Sequence, residues 1–178
     1  MRVFRSGLAF VIGAAFLNLM VARLNNGILP LHLFCAGLFA AYGAFHLHPR
    51  AGFAGVFVIG LLMDARAPVP FGTQAVLLAA LHTLLSAARD RVDRNSDTAR
   101  ILAAVLANLV FSLALALLCV RRAALQPLPL LGDLLLSQAL VALVTPWYFA
   151  LQSRLVRLAA PADGGSHIHR TRADWLAK

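Results

Sequence analysis

The sequence predicts an all-α integral membrane protein of about six transmembrane helices, and three observations predict it. First, 61% of the 178 residues are hydrophobic and only 13% are charged, whereas a soluble domain is about 45–50% apolar and about 25% charged. The mean hydropathy is +0.79, and a soluble domain of this size has no means of burying so much apolar surface. Second, several apolar runs approach the roughly 20 residues that a helix needs to cross a bilayer core about 30 Å thick. Third, the net charge of +9 comes from 16 basic and 7 acidic residues, and the arginines separate the apolar runs without forming one continuous patch. That spacing argues against a nucleic-acid surface and for membrane topology and anionic lipid head groups. The length suits one bundle with short loops, residues 1–159, followed by a polar tail.

Span one covers residues 7–21 and is preceded by Arg2 and Arg5. A cleaved signal peptide is the rival reading. Met20-Val21-Ala22 fits a small-x-small cleavage site poorly, so a retained anchor is preferred. Arg23-Leu24-Asn25-Asn26-Gly27 reads as the first turn, with Asn-Gly as punctuation. Span two, residues 28–45, carries Ala36, Ala40 and Ala44 at four-residue spacing with Gly37 and Ala41 beside them. In lipid, small residues in such rows let helix backbones approach closely. Span three, residues 51–63, is short. Thirteen residues rise only about 20 Å. Either the helix begins at Pro49 with Arg50 reaching to the interface, or its end stops inside protein, where irregular backbone is tolerated.

Asp64 opens a break that runs through Arg66, Pro68, Pro70 and Gly72, where two prolines and a glycine forbid a continuing helix. Span four, residues 73–88, holds the polar residues Gln74, His82, Thr83 and Ser86. The stretch 89–100 is the most polar loop, and Ser96 is placed to cap the next helix. Span five, residues 99–120, puts Asn108 and Ser112 on one face, four residues apart. Span six, residues 130–149, meets Pro146 as a kink or an end, with Trp147, Tyr148 and Phe149 where an aromatic belt sits. Leu151, Leu155 and Leu158 alternate with Arg154 and Arg157 as an interfacial amphipathic turn. Residues 160–178 read as a mobile tail. With six spans the termini share a side, and that side holds twelve basic residues against four opposite. The positive-inside rule then makes both termini cytoplasmic, with the Arg121–Arg122 pair as the exception.

Reactive chemistry is sparse. There is no Gly-rich phosphate loop, GxSxG or HExxH motif. Cys35 and Cys119 lie in apolar runs and read as small packing residues. His46/His48 and His167/His169 are pairs without a third ligand, too few for a closed metal site. No catalytic residue, cofactor or metal is expected. Asp64 is the single acid at the end of an apolar helix, and an ionisable group at membrane depth is a functional candidate. It either sits at the interface, pairing with Arg66 or capping the Pro-rich turn, or holds that turn so that the loop meets a partner. His82, mid-span, and Asn108 with Ser112 read as inter-helix hydrogen-bonding groups, each worth about 0.6 kcal/mol.

The most specific signal is Gly55-Val-Phe-Val-Ile-Gly60-Leu-Leu-Met-Asp64, continued by Pro70-Phe-Gly72-Thr-Gln-Ala-Val-Leu-Leu-Ala. A glycine-rich helix ends in Gly-Leu-Leu-x-Asp, turns over Pro and Gly, and re-enters as a second apolar helix. Over residues 52–82 this resembles the rod shape-determining MreD family of bacterial inner membranes. The basic loop after span four and the closing Pro146-Trp-Tyr-Phe-Ala-Leu-Gln-Ser-Arg154 stretch agree with it, while the tail has no counterpart. The resemblance implies a fold similar to the substrate-binding subunits of energy-coupling-factor transporters. It also implies a non-catalytic role in lateral-wall peptidoglycan synthesis. The implied partners are an MreC-like single-span periplasmic protein and, through it, actin-like MreB filaments and a peptidoglycan synthase pair. Gly60, Asp64, Pro70 and Gly72 carry the motif, and Gly52 and Gly55 extend its smooth face. The alternative is a vitamin-binding transporter subunit, which needs a cavity with several converging polar groups.

Overall fold

A chain with this much apolar surface must satisfy its backbone polar groups internally. The described residues do so as six α-helices with no strand. The computed structural model describes residues 2–25, 33–67, 69–89, 96–120 and 127–159. The helices are α1 (Arg2–Asn25), α2 (Ala36–His46), α3 (Pro49–Asp64), α4 (Thr73–Ala88), α5 (Asp97–Val120) and α6 (Pro127–Ala159). Residues 23–25 of the expected first turn are helical instead, because α1 continues past residue 21 to Asn25. Asn26-Gly27, Pro68, most of the polar loop, the Arg121–Arg122 pair and the tail with His167 and His169 lie outside the described residues, as does the Cys119 side chain.

Among the described residues, three helical stretches are long and apolar enough to cross a membrane by length and composition: Val3–Asn25, Asp97–Leu118 and Leu131–Ala159. The other helices have 11, 16 and 16 residues and rise about 16 to 24 Å, short of a core about 30 Å thick.

The packing has one helix at its centre. α1 packs on α3 and α6, α3 on α4, α4 on α5 and α5 on α6, which closes a ring of five. α2 fills the ring and touches α3, α4, α5 and α6. It also meets α1 through Phe10, whose ring stacks on Tyr42 at 5.6 Å. Every residue from Ala36 to Ala44 is buried. The small-residue row makes this possible: a Cβ at Gly37 would overlap the Asn108 backbone and lie 2.6 Å from the Ala104 carbonyl oxygen.

Two further expectations about helix limits are corrected. The apolar run at 28–45 is not one helix, because residues 33–35 are non-helical and α2 starts at Ala36. Side chains from other helices take over the backbone bonds there. Asn25 Nδ2 donates to the Leu33 carbonyl at 3.1 Å and Asn25 Oδ1 accepts from the Leu33 N–H at 2.8 Å, while the Phe34 N–H donates to Ser137 Oγ at 3.0 Å. Nor does α6 end near Phe149. It passes through Pro146 to Ala159, and the expected amphipathic turn forms its last turns. Other limits agree with the sequence. α4 covers the expected residues, and α3 begins with Pro49 at its first turn, capped by His48, whose Nδ1 accepts from the Arg50 N–H at 3.4 Å.

Outward faces are apolar. On α1, Phe4, Leu8, Ile12, Phe16, Met20 and Leu24 are exposed in a row with four-residue spacing. Arg5, Arg50 and Arg100, at the starts of α1, α3 and α5, lie at the same end as Arg154 and Arg157 in the last turns of α6. The Asp64 turn is at the other end.

Candidate functional site in the short-helix hairpin

The first N–H groups of any helix have no partner within it. At α4 the N-cap residue is Gly72, held at φ +94° and without a side chain to cap. Only glycine adopts that left-handed backbone at little cost. The missing acceptor comes from Asp64, the last residue of α3. Its Oδ2 accepts from the N–H groups of Gly72 at 3.0 Å and Ala75 at 3.1 Å, and its Oδ1 accepts from Gln74 at 2.9 Å. The carboxylate is only 4% exposed. Its charge also sits at the positive end of the α4 dipole. Of the readings offered for Asp64, the geometry is that of a cap on the Pro-rich turn, and both oxygens are engaged.

The turn is fixed elsewhere too. The Ala65 N–H donates to the Leu61 carbonyl and the Arg66 N–H to that of Met63, both at 3.1 Å. Pro70 lends its carbonyl to the Thr73 N–H at 3.1 Å and to the Thr73 hydroxyl at 2.7 Å. What faces outward is Arg66, Pro70 and Phe71, the last 72% exposed.

The motif glycines face the protein's own helices. A Cβ at Gly52 would lie 2.6 Å from the Gly43 carbonyl oxygen and 2.7 Å from His82 Cε1. At Gly55 it would lie 2.7 Å from the Phe10 ring, and at Gly60 it would overlap the backbone of Ala75. These positions serve the α3 contacts with α2, α1 and α4.

His82 is buried with its ring against Gly43 and Gly52, and its Nε2 lies 3.3 Å from Ser86 Oγ, one turn on in the same helix. Its ring also packs against α2 and α3 through Gly43 and Gly52. Asn108 and Ser112 are both buried. Asn108 Oδ1 accepts from the Gly37 N–H at 3.2 Å, so it caps α2 from α5 as Asp64 caps α4 from α3.

Sequence reasoning missed Gln152, which is fully buried although its neighbours read as an interfacial turn. Its Nε2 donates to the carbonyls of Phe10 at 3.0 Å and Ala9 at 3.2 Å, tying α6 to α1. Asn25 and Ser137 were missed as well. Their common signal is an amide or hydroxyl in or beside an apolar run.

At the arginine-rich end a cavity of about 200 Å³ lies between the end of α2, the start of α5 and the later turns of α6. His46, Asp97, Arg100, Thr145, Phe149 and Ser153 line it. Ser96 caps α5 as expected, accepting from the Ala99 N–H at 3.4 Å. Arg100 pairs with Asp97 at 3.0 Å. His46 stacks on Tyr42 at 4.8 Å and meets Phe149 edge-on at 5.0 Å.

No family model, curated protein or solved structure matches the chain.

Proposed function

We propose that this chain is a non-catalytic scaffold of the bacterial inner membrane, a member of the cell-elongation complex that binds the membrane helix of an MreC-like single-span partner. In this reading the arginine-rich end, with both termini, faces the cytoplasm, all six helices lie in the membrane region, and the hairpin tip faces the periplasm. The observation that carries it is the Asp64 cap. Both carboxylate oxygens are spent on three backbone N–H groups, so the most conspicuous acid of the apolar region holds a turn rather than a ligand. That turn presents Arg66, Pro70 and Phe71 on its outside. Beside it, Phe53, Phe57 and Leu62 form an exposed apolar row on α3 against which a partner helix would lie.

The centre of the ring, where a vitamin-binding subunit would keep its cavity, is filled by α2. The cavity at the arginine-rich end, about 200 Å³, is below the roughly 300–1,000 Å³ of drug-sized ligand sites.

The test is co-purification in detergent with the single-span partner, combined with crosslinking from cysteines placed at Phe53, Phe57, Leu62 and Phe71. Asp64→Ala should weaken recovery of the partner more than His82→Ala, and depletion should turn rods into spheres. Depletion that leaves cell shape untouched while blocking vitamin uptake would overturn the proposal, and wild-type recovery with both variants would remove the role given to Asp64.

A further inference from the structure

The cavity at the arginine-rich end is not used by the hairpin, and its chemistry differs from that of the rest of the molecule. Its floor is apolar and aromatic, with Phe149 beside the Tyr42–His46 stack. Its polar groups are few. The Thr145 hydroxyl donates to the Val141 carbonyl at 2.5 Å and the Ser153 hydroxyl to that of Ala150 at 2.9 Å. Those two oxygens are left as acceptors, and the Arg100 guanidinium and the His46 ring are the other polar side chains with N–H groups that line the cavity. Arg157, one turn beyond the lining residue Ser153, donates its Nε to the Ser153 carbonyl at 3.2 Å.

Among the described residues, the Arg100 guanidinium and the Asp97 carboxylate line the cavity, Asp97 being 80% exposed and paired with Arg100, and Arg157 is joined to the lining residue Ser153. Arg5, Arg50 and Arg154 add positive potential from the same end, all exposed. Outside the mouth, Trp147 and Leu151 face outward and are 81% and 54% exposed. A donor-lined hollow in a basic rim, with an apolar wall running away from it, matches a molecule that has an anionic head and apolar chains. Basic pockets between membrane helices take such head groups, and guanidinium forks match phosphate oxygens.

We propose that this cavity is a binding site for the phosphate head group of an anionic phospholipid, with the acyl chains lying along the Trp147–Leu151 face of α6. Arg100 and Arg157 hold the phosphate, and the cavity beneath accepts the polar substituent on it.

The test uses the full chain purified from membranes, exchanged into detergent doped with phosphatidylglycerol or phosphatidylcholine, and analysed for retained lipid by native mass spectrometry. The site predicts at least about tenfold more phosphatidylglycerol than phosphatidylcholine, a ratio worth about 1.4 kcal/mol. Arg100→Gln with Arg157→Gln should reduce that excess at least about fivefold, still under one such tenfold step. A second double variant, Arg5→Gln with Arg50→Gln, removes the same charge at the same end but outside the cavity, and should keep the excess. Ala150→Trp, which fills the cavity without changing charge, should lower it, and circular dichroism checks that each variant is folded. Equal losses in the two double variants would mean diffuse attraction and overturn the site, as would an Ala150→Trp variant that retains lipid like the wild type. Inorganic phosphate separates the two sources of the same chemistry. If millimolar phosphate displaces the lipid completely, the site is one for free phosphate and the lipid assignment is wrong.

Discussion

Removing the Asp64 carboxylate should have a large effect that the geometry allows us to size. Asp64→Ala deletes the acceptor of three N–H groups, of which those of Gln74 and Ala75 are buried and that of Gly72 is partly buried. Losing an ordinary N-cap costs about 0.5–2 kcal/mol, because water takes over the freed donors. Water has poor access here, and a buried donor left unsatisfied costs about 1–3 kcal/mol. Two such donors put the loss at roughly 2–6 kcal/mol, and a middle figure of about 4 kcal/mol lowers the melting temperature of a protein this size by roughly 8–16 °C. Asp64→Asn keeps one oxygen but turns an NH2 toward the remaining donor, so it should fall between the wild type and Asp64→Ala. The assay is thermal unfolding in detergent followed by circular dichroism. If Asp64→Ala melted within about 2 °C of the wild type, less than one kcal/mol on this scale, the capping account would be wrong.

Two further outcomes follow from the same contacts. Gly60→Ala drives a methyl group into the Ala75 backbone and should cost about 1–3 kcal/mol, whereas Gly132→Ala, with nothing within 4 Å, should melt like the wild type or slightly higher; paired melting curves check both. Gln152→Leu removes two bonds between α6 and α1 but strands only carbonyls that already serve their own helix, so a loss near 1 kcal/mol is expected in the same assay.

What could be read from the residues depended on whether a signal was local. The helical class, the limits of α4, the start of α3 at Pro49 and the Ser96 cap all rest on turn and cap chemistry within a few positions, and they agree with the structure. Asp64 was visible for a similar reason, as an acid between an apolar helix and a Pro/Gly turn. The break before α2 was not, because an apolar run looks the same whether its backbone bonds close within the helix or reach Asn25 and Ser137. Pro30 and His32 were the available hints, and a proline near the start of a helix is tolerated. Gln152 was hidden by its setting among Leu and Arg, where it reads as one polar position of an amphipathic turn. That it faces α1 depends on α6 continuing past Pro146, which no local pattern announces.

The trans caps also decide which seams of the ring resist opening. α2 takes an N-terminal acceptor from α5, and α4 takes its own from α3. Pulling either pair apart exposes N–H groups that have no helical partner. The α1–α6 seam is different. Gln152 donates there to carbonyls inside α1, and these keep their own helical bonds when the contact is lost. The cost of separation is then the amide's own desolvation and the packing around Gly13, where a Cβ would overlap Gln152 Oε1. α1 also carries the long exposed apolar row, so it already faces outward along most of its length. The α3–α4 hairpin and the α2–α5 pair are therefore the rigid units of this fold, and α1 is the element whose displacement leaves the fewest backbone groups unmet.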